Sequence, residues 1–170
     1  RIRDIRSSEK VLYRQVLDLY STSIDYNHKS AESIQFFKTV QNKLHYAVNK
    51  QTASETIYLR ADAEKDFMGL TTFKGEVPLK SDITIAKNYL DKDELFRLNR
   101  MVSAFFDLAE LKAHEQIKMY MKDWVVELNK FVEIYGKGVL ESAGTISHEK
   151  AIEKAEREYG NDLVTNDFSL

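Results

Sequence analysis

Leu95-Phe96-Arg97-Leu98-Asn99-Arg100-Met101-Val102-Ser103-Ala104-Phe105-Phe106-Asp107-Leu108-Ala109 is the stretch that decides the fold. Its Leu95, Leu98, Val102, Phe105 and Ala109 alternate steps of three and four, the spacing of one helical face rather than the two-residue repeat of a strand. Asp91 to Glu94, just before it, reads as an N-terminal cap. The spacing therefore predicts a long helix with a continuous buried stripe, reaching about His114.

The same rhythm extends in both directions. A helix is expected from about Ser8 to Ile24 on Leu12, Val16 and Leu19. A second, from about Ala31 to Val48, would bury Ile34, Phe37, Leu44 and Val48. Thr52-Ala53-Ser54-Glu55 has capping-box spacing and opens a third, ending near Asp62, with Ala53, Ile57 and Ala61 on one side. Helical spacing also runs from Asp82 through Tyr89. Beyond the long helix, Trp124, Leu128 and Phe131 define one from about Tyr120 to Tyr135, stopped at Gly136. Ser147 caps a last one ending at Gly160, which leaves 160–170 as a loose tail. The stretch from Ala63 to Lys80 breaks the rhythm. It holds Gly69, Gly75 and the single proline, Pro78, and reads as an ordered loop or a small hairpin. The expected architecture is an all-α bundle of about seven helices, a single helical domain with one irregular insertion.

Composition agrees. A hydrophobic share of 43% over 170 residues supports a packed core. Six Gly and one Pro are too few for the tight turns of an all-β sandwich. With no Cys, disulfides, thiolate zinc sites and cysteine nucleophiles are excluded. A formal charge of −2 is not that of a polycation that coats nucleic acid. No window approaches the ~18 apolar residues of a membrane span, so a soluble, cytoplasmic protein without a membrane partner is expected. The chain begins at Arg1 rather than Met, which suggests a piece of a longer protein.

Phosphate-loop, dinucleotide, zinc-protease and nucleophile-elbow motifs are all missing, and neither a cofactor nor a metal is expected. Three polar groupings remain. Asp107, Glu110 and His114 fall on one flank of the long helix, where they could share a metal if another helix contributed; an ordinary solvated flank with a Glu110–His114 pair fits the same spacing. Gln41, Asn42 and His45 in the second helix are followed by Glu55, Arg60 and Asp62 in the third. His45 is the best general acid/base of the chain, because an imidazole titrates near neutrality. Helix-junction capping would use the same residues. Lys87-Asn88-Tyr89, beside the irregular loop, could contact phosphate or a base edge, while a buried Tyr89 and a solvated Lys87 are equally natural. Arg1, Arg3, Arg6, Lys10 and Arg14 form a local basic arm suited to DNA.

Phe37-Lys38-Thr39-Val40-Gln41-Asn42-Lys43-Leu44-His45-Tyr46-Ala47 with Gln51-Thr52-Ala53 resembles the virulence-associated RhuM family of bacterial proteins. Met68-Gly69-Leu70-Thr71-Thr72, Ile83-Thr84-Ile85-Ala86-Lys87-Asn88-Tyr89-Leu90, Asn99-Arg100 with Asp107 and Glu110, and Tyr120-Met121-Lys122-Asp123-Trp124 follow the same pattern. The resemblance reaches about Tyr159 and is to the carboxy-terminal part of the family. Phe73 stands where a Trp is expected, Asn49-Lys50 replaces a Gly-containing turn, and His114 is not a matching position. Some relatives are joined to Fic/Doc-type domains, but the Fic motif is not in this chain, so adenylyl transfer is not carried over. The resemblance implies a virulence-associated domain with a DNA-related island or defence role, acting through macromolecular contacts. Its partners would be DNA, through the full-length protein, or a protein partner or second copy. Two other expectations stand beside it. One is a small helical enzyme in which His45 is the acid/base and Glu55, Arg60, Asp62 and Asn88 position an anion. The other is an oligomerising module built on the long helix.

Overall fold

The computed structural model describes residues 14–15, 18–19, 21–25 and 30–167. Five α-helices lie among them: α1 (Ser30–Asn49), α2 (Ala53–Arg60), α3 (Lys92–His114), α4 (Met121–Tyr135) and α5 (His148–Asp167). The all-α class is therefore observed among the described residues, where five helices are seen against the seven or so expected for the chain. Most of the expected helix from Ser8 to Ile24 lies outside the described residues, although Arg14, Gln15, Asp18, Leu19 and Ser21 are helical. The expected helix from Asp82 is only a short 3₁₀ turn, Ala86–Tyr89. Its polar groups bond to backbone inside the segment, Asn88 to the Asp82 carbonyl and Tyr89 to the Ile83 carbonyl, and these cross-links replace a helical ladder.

The contacts divide the chain into two compact units, 1–50 with 96–143, and 51–95 with 144–170. In the first unit α1 packs on α4. Phe36, Val40, Leu44, Ala47 and Val48 form the buried stripe of α1. The expected stripe is corrected at its start: Ile34 is exposed and Phe37 half-buried, since a stripe of four-residue steps leading to Leu44 passes through Phe36 and Val40 instead. Leu98, Val102, Phe105 and Ala109 of α3 are buried as expected, as are Trp124, Leu128 and Phe131 of α4. α4 ends at Gly136, and the reason is close approach rather than special dihedrals. Gly136 has an extended backbone, and a Cβ there would lie 2.6 Å from the Ala47 Cβ.

In the second unit α2 packs on α5 and on the Ala86–Tyr89 turn. Ala151 and Ala155, one turn apart, give α5 a small-residue face beside a core that includes Ile57, Ala61, Met68, Ile83 and Tyr89. Thr52 and Glu55 form the full capping box. The stretch 63–80 contains no strand, so the hairpin alternative is replaced by a loop. Within it Phe67 (φ 53°), Met68 (φ 59°) and Gly69 (φ 84°) are consecutive left-handed residues. Non-glycine residues adopt that conformation only under constraint. Here it drops Met68 into the core and leaves Phe67 outside, its ring tilted against Phe73 with centroids 5.0 Å apart. α5 runs through Gly160 to Asp167 rather than stopping at Gly160, so 160–167 is helix and not loose tail. None of the helices among the described residues is long and apolar enough to cross a membrane.

Candidate functional site

The polar residues singled out in the sequence fall into both units. In the first unit α1 carries Gln41, Asn42, Lys43 and His45. His45 is 2% exposed, and Gln41 and Asn42 are half-buried. Lys43 is the unexpected member. It is 8% exposed, and its Nζ donates to the Leu140 carbonyl at 2.6 Å, tying α1 to the segment after α4. Burial lowers its pKa, because the ammonium loses water, while nearby Glu141 raises it in partial compensation.

In the second unit Glu55 is used by the scaffold. Its Oε1 accepts the Thr52 N–H at 2.8 Å, and its Oε2 accepts the Thr145 N–H at 2.9 Å and the Thr145 hydroxyl at 2.7 Å. Burial pushes this carboxyl up, but the hydrogen bonds from Thr52 and Thr145 outweigh it and hold it below the ordinary carboxylate range. Arg60 is likewise committed. Its guanidinium grips Glu94 through two parallel bonds of 2.6 and 2.7 Å, and Nη1 also donates to the Tyr89 carbonyl at 3.1 Å. The hydrogen bond to Glu94 raises its pKa further. Asp62 accepts the Glu64 N–H at 3.0 Å in an Asx turn. Asn88 is buried and gives its amide to the Asp82 carbonyl; Tyr89 is buried, which raises its phenol pKa; Lys87 is half-buried. Thr71 closes this corner, its hydroxyl donating to the carbonyls of Asn88 and Leu90.

The Asp107, Glu110 and His114 flank does not converge. Asp107 lines one groove beside α3 and Glu110 a different one, with Gln15, Leu19 and Phe106. Among the described residues, no group of three His, Asp or Glu side chains is placed to hold a metal.

The groove beside Asp107 lies in the first unit, and sequence reasoning did not assign it. It measures about 680 Å³ and lies between α3 and α4, lined by Arg100, Met101, Ala104, Asp107, Leu108, Leu111, Phe131 and Tyr135. Leu108 is 48% exposed and Tyr135 69%. Phe96, one turn before Arg100, extends the apolar strip and carries the Arg100 guanidinium over its ring at 5.2 Å. The signal was present in the sequence. α3 bears apolar residues at 101, 104, 108 and 111 beside the buried stripe at 98, 102, 105 and 109, more than one face of a single packed helix needs. An exposed apolar strip of this extent, rimmed by charge, is what contact surfaces look like.

Among the described residues, a helical protein whose polar candidates mostly serve the scaffold and which presents an apolar groove is the class that emerges. The chain belongs to the Virulence protein RhuM family, whose family model matches residues 1–166. Neither a curated protein nor a solved structure matches it.

Proposed function

We propose that this chain is a macromolecular-interaction module that serves a virulence-associated, DNA-related island or defence function. The observation that carries the module reading is the α3–α4 groove, an exposed apolar strip beside the buried stripes of both helices. The commitments of Glu55 and Arg60 support it, since residues fully used in capping and ion pairing have little freedom to follow a reacting substrate. The DNA part rests on the family and on the basic arm Arg1, Arg3, Arg6, Lys10 and Arg14, whose cations can replace counterions on a phosphate backbone.

A mobility-shift titration of the full-length protein on duplex DNA tests that part. Binding is expected at low salt and weakens steeply as salt rises. No shift at low salt, with any upstream region present, rejects the DNA role. The competing reading of a small helical enzyme with His45 as acid/base is disfavoured by the burial of His45, since a substrate must reach the imidazole. It requires His45→Gln to abolish an activity while leaving thermal stability nearly unchanged.

A further inference from the structure

We infer that the α3–α4 groove is where two copies of this chain associate, their α3 helices running antiparallel and crossing at Ala104; this rests on the module reading above. Four observations point to a second copy rather than another occupant. The lining of Met101, Leu108, Leu111, Phe131 and Tyr135 offers the large, low-polarity side chains of an interface centre. Ala104, the small residue midway along the strip, lets two helix axes approach to roughly 8–9 Å.

The third observation is charge. Arg100 and Asp107 both line the groove, on opposite sides of Ala104. At the rise of an α-helix they stand about 6 Å and about 4.5 Å from it along the axis. A two-fold axis through Ala104 therefore brings Arg100 of each copy level with Asp107 of the other, giving two equivalent ion pairs from one self-complementary patch. A parallel arrangement would instead set Arg100 against Arg100 and Asp107 against Asp107. The fourth is that the apolar ends match as well. Phe96, 54% exposed, lies eight residues before Ala104, and Leu111, 53% exposed, lies seven after it, so antiparallel copies place them side by side.

The absence of native cysteine gives a direct test on the whole chain. Ala104→Cys puts one thiol at the proposed two-fold axis, and mild oxidation is expected to convert most of the protein to a covalent dimer. Lys130→Cys, on α4 but outside the groove lining, is expected to give little covalent dimer under the same oxidation. Sedimentation equilibrium of the unmodified chain should give twice the monomer mass. Arg100→Asp and Asp107→Arg should each weaken association roughly tenfold, and the double reversal should restore it to within about threefold. Circular dichroism confirms that each variant is folded, and the rescue separates lost pairing from lost folding. A monomer at high concentration, with Ala104→Cys cross-linking no better than Lys130→Cys, overturns the dimer. So does dimerisation that the two single reversals leave unchanged. If the dimer fails but Leu108→Glu still abolishes DNA or protein binding by the full-length protein, the module reading survives. If the dimer forms and the full-length protein shows no such binding, the module reading falls alone.

Discussion

Gly69 and Gly160 show how differently two glycines of one unit can be used. At Gly69 the backbone is left-handed and an added Cβ would sit 2.3 Å from the Arg60 carbonyl oxygen, a backbone atom that cannot swing away. Gly69→Ala is expected to cost about 2–4 kcal/mol, read from the urea midpoint. Gly160 lies inside α5 with nothing within 4 Å of a Cβ. Gly160→Ala should therefore stabilise the protein by about 0.5–1 kcal/mol in the same measurement, through the lower entropy of the unfolded chain. Lys43 is a different kind of single-residue effect. Its pKa is lowered in the folded state, so between the folded and unfolded values the unfolded chain holds more protons. Its burial thus penalises folding below that window, and the penalty is relieved as pH rises toward the ordinary lysine value of about 10.4. Lys43→Met is expected to be neutral or stabilising at neutral pH, and the difference from the unchanged protein should shift in favour of the latter as pH rises toward the ordinary lysine value. Equal pH slopes for the two proteins would contradict this.

At the scale of elements, the start of α2 is the place where sequence and structure agree best. The Thr52–Glu55 box is local, four residues long, and needs no knowledge of the rest of the chain. Its reinforcement by Thr145, 90 residues on, was invisible, because only packing brings that hydroxyl to Glu55. Glu55→Gln should lower stability by about 1 kcal/mol at neutral pH, the usual scale of a weakened cap. The sign with pH follows from the lowered carboxyl: its contribution is present above the ordinary glutamate value of about 4.3 and is lost as pH falls through the folded one. The gap between the unchanged protein and the Glu55→Gln variant should accordingly close on acidification, as followed by thermal melts. The other end of α2 rests on the two-pronged Arg60–Glu94 pair, which a lysine cannot reproduce. Arg60→Lys is expected to cost about 1–2 kcal/mol by denaturant titration, more than an exposed ion pair would. The helix expected at Asp82 was misread for a related reason. Ile83, Ala86, Tyr89 and Leu90 have helical spacing, yet each is buried by partners that the local sequence does not name.

For the whole molecule, net charge is a poor guide to binding. The formal charge is −2, while the first fourteen residues carry five cations against two carboxylates. If those five make the DNA contacts of the full-length protein, the slope of log affinity against log salt should be no steeper than about −4.5. Replacing Arg3 and Arg6 by Gln should reduce it by roughly two without changing sequence preference. A steeper slope would place the principal contacts elsewhere. The helical class, the long α3 with its buried stripe, the capping box and the boundaries of α4 were all readable in the sequence, because each is set by spacing and by contacts within a few residues. What only tertiary structure decided lies at longer range. It buried Lys43 against a carbonyl 97 residues away, used up Glu55 and Arg60 in the scaffold, separated Asp107 from Glu110, and left the second apolar strip of α3 open. A helix announces its own faces through its period. Which face is covered, and by what, depends on partners brought together from distant parts of the chain.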